Sequence, residues 1–193
     1  MLMPSAQMFR RKTYAALMSA WGFLVCVVAF FLPSLLEAQE IRIRVLNARN
    51  GTAVTDECVN ISLGSWHGGD LIAPTNKEGL VVLHFEGGQV RADAASSDTC
   101  NGLAVLGPKP VPAGVDTLAI TSDKYVDCQE WAKVVPGEAP KDALNRAPSY
   151  SLKKLVESGA AAGNRCGKFR AEAKPGELIF YVRPRSFLEK MRE

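Results

Sequence analysis

His67 and His84 are the two histidines of this 193-residue chain, the first places to look for a catalytic zinc site or an activated nucleophile. A catalytic zinc site of the peptidase kind needs a His-x-x-Glu pair and a distant third ligand. His67 is followed by Gly68-Gly69-Asp70 and His84 by Phe85-Glu86, so neither fits. Neither stands beside a cysteine or serine in a nucleophile context. Ser151-Leu152-Lys153-Lys154 does match the Ser-x-x-Lys pattern of serine acyl-transfer enzymes. Its companions are missing: Ser122-Asp123-Lys124 lies upstream instead of downstream, and Lys-Thr-Gly is absent. A solvated helix face explains the match better. No catalytic residue, cofactor or metal site is expected.

Binding chemistry concentrates in Gly64 to Asp70. Trp66, His67 and Asp70 sit there among glycines, and an exposed aromatic on such a loop can stack on a sugar or peptide. The competing reading has Trp66 folded back over one end of the core, as large aromatics usually are. His67 near Asp70 could contribute to a weak metal site, against the plainer reading of a solvated loop histidine. Asn50-Gly51-Thr52 and Asn60-Ile61-Ser62 are glycosylation sequons that matter only in a host that modifies them. Trp131, close behind Cys128, is expected to pack on a disulfide.

Compartment follows from the first 38 residues. Arg10, Arg11 and Lys12 precede an uncharged run, Ala15 to Leu36, of 22 residues. A basic flank before an apolar segment is an export signal that leaves the rest of the chain outside. Pro33 breaks the apolar helix, and Leu36-Glu37-Ala38 offers a cut before Gln39, which favours a cleaved signal peptide. The length of the run, close to the roughly 20 residues that span a bilayer, keeps an uncut anchor as the second reading. Cys26 follows bulky Phe23-Leu24-Val25 and does not suit lipid attachment.

Removing 38 of the 193 residues leaves 155, one domain able to bury a substantial core. The leader holds three of the 23 Lys and Arg and one of the 20 Asp and Glu, so the remainder carries 20 against 19, or +1. Such a domain has no electrostatic footprint for nucleic acid. Cys58, Cys100, Cys128 and Cys166 remain, an even number that implies disulfides in an exported chain. Three connectivities are possible; pairing neighbours within each half, Cys58–Cys100 and Cys128–Cys166, is favoured. Each would close a loop of about 40 residues, worth about 4 kcal/mol on the chain-entropy account. Without a Cys-x-x-Cys pair, zinc is not the expected use of these thiols.

The elements that position these residues are mostly strands. Ile41-Arg42-Ile43-Arg44-Val45-Leu46 alternates apolar and basic residues, the period of a half-buried strand. Further strands are expected at Cys58 to Leu63, Leu80 to Phe85, Gln89 to Ala92, Asp116 to Thr121, Tyr125 to Cys128 and Leu178 to Val182. Asn50-Gly51 and Gly87-Gly88 supply turns. Pro108, Pro110 and Pro112 imply extended, unpaired chain. One helix is expected over Ser149 to Ser158, with Leu152, Leu155 and Val156 on one face and Gly159 as its stop. Ala160 to Gly167 reads as a flexible connection, and Ser186 to Glu193 as a short helix or tail. Together these predict a mainly β chain: a small antiparallel β-sandwich with a C-terminal helix and extension.

Val45-Leu46-Asn47-Ala48-Arg49-Asn50-Gly51-Thr52, then Cys58 to Leu63, then Pro74-Thr75-Asn76-Lys77-Glu78-Gly79-Leu80-Val81-Val82-Leu83 resembles the carboxypeptidase regulatory-like domain, a transthyretin-like sandwich. Gly88-Gln89-Val90-Arg91-Ala92 departs from it by lacking the aromatic of the usual Gly-x-Tyr-x-Val, and Asn76 replaces the usual Asp. The tail around Asn164-Arg165-Cys166-Gly167 and Pro175 to Pro184 is similar to exported acidobacterial proteins that add a cysteine-bearing extension to such a sandwich. The resemblance implies an accessory module and no enzyme. The expected organisation is a signal peptide or anchor at 1–38, the sandwich at 39–135, and at 136–193 a Pro-rich loop, helix, terminal strand and tail packing on it. The expected function is a non-enzymatic extracytoplasmic binding module for a protein or glycan of the cell envelope. The alternative is a membrane-anchored structural or envelope-assembly protein using the sandwich as spacer or docking surface. Contact with a membrane is expected only through the N-terminal segment, if it stays uncut.

Overall fold

The computed structural model describes residues 39–64, 71–93, 100, 103–129 and 148–191. Ala38–Glu193 forms one compact unit, separate from Met1–Glu37. Its strands, in chain order, are β1 (Gln39–Asn47), β2 (Cys58–Leu63), β3 (Leu71–Pro74), β4 (Leu80–Glu86), β5 (Gln89–Asp93), β6 (Lys109–Pro110), β7 (Thr117–Ser122), β8 (Tyr125–Asp127), β9 (Ser149–Ser151), β10 (Ala160–Ala161) and β11 (Glu177–Pro184). Helix α1 (Leu152–Ser158) joins β9 to β10, and α2 (Phe187–Lys190) follows β11.

Two sheets result. A four-stranded sheet has the order β3-β2-β7-β9 and is antiparallel throughout. A seven-stranded sheet has the order β10-β11-β1-β4-β5-β6, with β8 also paired to β11. One cluster of buried side chains draws on both: Ile41, Ile43, Val45, Val81 and Leu83 from the larger, Val59, Ile61, Leu71, Leu118 and Ile120 from the smaller. The alternation in β1 does what its period demands. Ile41, Ile43 and Val45 are buried while Glu40 and Arg42 are exposed. The chain is thus mainly β, with the sandwich-like arrangement expected.

Several expectations need correction. The larger sheet is mixed, because β11 runs parallel to β1 over Arg42↔Glu177 to Asn47↔Val182. The terminal strand does not pack on a finished sandwich: β11 lies within the sheet, with Leu178 to Val182 fully buried. The Pro-rich stretch is not unpaired, since Lys109 and Pro110 pair with Val90 and Gln89. Proline is tolerated there because β6 is an edge strand. Leu71–Pro74 is a strand the alternation did not announce, four residues long. The helix begins later than expected, at Leu152, because Ser149–Ser151 pairs with β7.

Segment 160–176 is an ordered strap and not a flexible connection. Cys166 is disulfide-bonded to Cys128, and Cys58 to Cys100, with Cα separations of 5.4 and 5.6 Å. These are the pairings favoured above. Asn164 fastens the strap by donating from Nδ2 to the Ala48 and Phe169 carbonyls, while its Oδ1 accepts from the N–H groups of Cys166 and Gly167. Phe169 meets Tyr181 edge-on at 6.3 Å, and the Ala171 N–H donates to the Tyr181 hydroxyl. The strap therefore seals the outer side of β11, where Ile179 and Tyr181 have no exposure.

Candidate binding face

The strap covers only part of the larger sheet. Beyond it, the outward-pointing residues of β1, β4 and β5 carry Glu40, Arg42, His84, Glu86, Arg91 and Asp93. Register decides how they meet. The turn Gly87-Gly88, both with positive φ, is left-handed backbone that glycine adopts without strain. It sets Glu86 opposite Gln89 and His84 opposite Arg91. Pairing with β1 then puts Glu40 on the other side of His84, and Arg42 across Val82 from Asp93. Neighbouring rows lie about 4.8 Å apart, so charges of both signs stand on a fixed grid.

Hydrogen bonds and ion pairs organise this grid. His84 Nε2 lies 2.7 Å from Asp93 Oδ2, and Arg91 reaches Oδ1 of the same carboxylate at 3.3 Å. Arg42 pairs with Glu40 at 2.6 Å, and Arg44 with Glu177 at 2.6 Å. A cavity of about 370 Å³ opens beside them, lined by His84, Glu86, Gln89, Arg91 and Pro108 among others. Among the described residues, no aromatic ring other than the imidazole lines it. The arrangement can hold a polar, charged ligand; it offers no nucleophile and no stacking platform.

A second cluster of titratable groups lies where the chain passes from β7 to β8, and so from one sheet to the other. Glu57 is fully buried. Its Oε1 accepts from the Ser122 hydroxyl and from the N–H groups of Asp123 and Lys124, at 2.9 Å each for the two N–H groups. Asp127 Oδ1 accepts from the Ser122 N–H at 3.0 Å. Burial pushes the Asp127 carboxyl up to about 7; the Ser122 N–H opposes this, the Glu57 charge adds to it, and Arg185 opposes it. Burial, with the Asp127 charge behind it, raises the Tyr150 phenol to about 12. That hydroxyl donates to Gln129 Oε1 at 2.7 Å, and Gln129 Nε2 donates to the Ile120 carbonyl. Paired carboxylates with one near neutrality could serve acid–base chemistry. Here the bonds run to the chain's own turn, and Glu57 has no exposure. The cluster is a clamp on the corner.

Trp66, His67 and Asp70 lie outside the described residues, as does Trp131. His84 is a sheet histidine, hydrogen-bonded to Asp93. Ser151 is the N-cap of α1, accepting from the Lys154 N–H, which accounts for the Ser-x-x-Lys match. Asn50 closes its own turn, its Oδ1 accepting from the Thr52 N–H and hydroxyl. Among the described residues, no group of three or more His, Cys, Asp or Glu side chains gathers to hold a metal ion. The charged rows Glu40-x-Arg42 and Arg91-x-Asp93 were missed, although a two-residue Gly-Gly hairpin was a signal from which His84 opposite Arg91 could have been read.

No protein-family profile, no curated protein and no solved structure matches this chain. The two disulfides place the unit in an oxidising, extracytoplasmic compartment. Among the described residues, no helix is long and apolar enough to cross a membrane.

Proposed function

We propose that this protein is a non-enzymatic binding module of the cell envelope, of the carboxypeptidase regulatory-like kind. It docks a mixed-charge segment of a partner protein on the open face of β1, β4 and β5. The observation that carries this is the unequal covering of one sheet. Over β11 a strap and a disulfide seal the outer face; over β4 and β5 no described segment covers the charged face and its cavity. Alternating charges at strand spacing suit recognition by electrostatic complementarity. A protein segment is favoured over a glycan because charged side chains, and no aromatic ring of the described residues other than the imidazole, line the cavity.

Export is part of the proposal: the leader is removed before Gln39, and the module is free in the periplasm or medium. N-terminal sequencing of the protein from fractionated cells checks this, and an intact Met1 in the membrane fraction supports the anchored alternative. Binding is tested by screening the purified protein against charged peptides and glycans. Arg42→Glu and Arg91→Glu are each expected to weaken peptide binding roughly five- to tenfold, and raised salt should weaken it further. Peptide binding indifferent to both substitutions, or glycan binding alone, overturns the reading.

A further inference from the structure

We infer that the tip carrying α2 is a docking surface for an anionic phospholipid membrane. This surface is distinct from the β4–β5 face and does not rest on it.

Helix α2 is only four residues long, yet it is fastened twice. Ser186 and Glu189 form a reciprocal capping box. Arg183 then grips the Glu189 carboxylate with both terminal nitrogens, at 2.8 and 2.6 Å. These bonds hold apolar side chains in water: Phe187 is 73% exposed, and Leu188 and Met191 are 66% exposed each. Phe187 and Leu188 lie four and three positions before Met191, so the three share one side of the turn. A preorganised apolar knob with no described residue covering it needs an occupant.

Charge selects the occupant. The parallel pairing of β1 and β11 brings α2 to the end of the sheet where β1 finishes, since the Ala48 N–H donates to the Val182 carbonyl. Exposed Arg49 and Lys168 belong to that end, because Gly167 packs on the Ala48 carbonyl. Arg170 donates to the carbonyls of Gly167, Phe169 and Asn164, neutral partners that leave its charge uncancelled. Apolar side chains amid cations match the boundary between acyl chains and phosphate headgroups. A second copy fits poorly. Three side chains fall well short of the roughly 800 Å² per partner of a stable interface, and the cationic surrounds would repel.

The unit from residue 38 onward closes its own core and contains both disulfides, so it is tested without the apolar leader. It is mixed with vesicles of phosphatidylcholine, alone or blended with phosphatidylglycerol, and sedimented. Retention is expected on the anionic vesicles and little on the neutral ones, declining as salt rises. The variant F187S/L188S/M191S should lose about tenfold or more of that retention with an unchanged thermal midpoint. R170E with K168E should weaken it while leaving α2 intact. The inference is overturned by equal retention on both vesicle types, by no retention on either, or by a triple variant that sediments like the parent. It is likewise overturned by a dimer in solution that the triple substitution abolishes.

Discussion

Glu57 and Asp127 show how a residue's place decides its consequences. Glu57 Oε1 gathers three donors from the corner turn, whereas its Oε2 is buried without a hydrogen-bond partner. Glu57→Ala strands those donors and is expected to remove about 3 kcal/mol of stability in urea unfolding. Glu57→Gln keeps the accepting oxygen and should lose far less, which separates hydrogen bonding from charge. Asp127 follows the opposite sign from a salt-bridged carboxylate. Its folded value, about 7, lies above the ordinary 3.8, so the native state holds a proton that the unfolded chain releases. Its contribution is complete below about pH 4 and is lost as pH climbs through about 7. Asp127→Asn should flatten the stability profile across that window and, at pH 8, exceed the parent by about 2–4 kcal/mol. An unchanged slope between pH 4 and 7 would refute this account.

At the scale of elements, the strap and α1 carry the strongest expectations. Gly167 presses against the Ala48 carbonyl so closely that any Cβ would collide with backbone. Gly167→Ala should therefore cost about 2 kcal/mol or more, and Asn164, which holds the same carbonyl, should show faster loss of its neighbours' amide protection. Removing the Cys128–Cys166 bridge by paired alanines is expected to lower stability by about 3 kcal/mol and to speed hydrogen exchange over 162–171. Ser151→Ala should cost about 1 kcal/mol as a lost N-cap. Sequence alone places the start of that helix at Ser149. Which serine caps was settled by pairing of Ser149–Ser151 with β7, a contact with residues some thirty positions earlier that local reasoning does not see.

Across the whole molecule, the two proposed surfaces lie on different parts of one fold. The β4–β5 face presents fixed charges beside a cavity, and the α2 tip presents apolar side chains among cations. Because they share no residue, Arg91→Glu should leave vesicle retention unchanged, and F187S/L188S/M191S should leave peptide binding unchanged. Cross-sensitivity would mean that the two surfaces are one. Reductant is expected to weaken both together, since each disulfide closes a long stretch of chain: 42 residues for Cys58–Cys100 and 38 for Cys128–Cys166.

Read without coordinates, the chain already specified its strand-rich character. Alternation of Ile41, Ile43 and Val45 with charged neighbours, the apolar run from Leu80, and an even set of four cysteines are local or countable facts, and local physics acts on them directly. What needed the tertiary structure was everything that depends on partners distant in sequence. The parallel docking of β11 on β1 joins residues more than 130 positions apart, and period two carries no information on strand direction. The clamp joins Glu57 to Ser122, and the raised Asp127 carboxyl follows from burial that no spacing rule encodes. Which part of the sheet the strap covers depends on Cys166 reaching Cys128 and Asn164 reaching the Ala48 carbonyl, contacts distant in sequence.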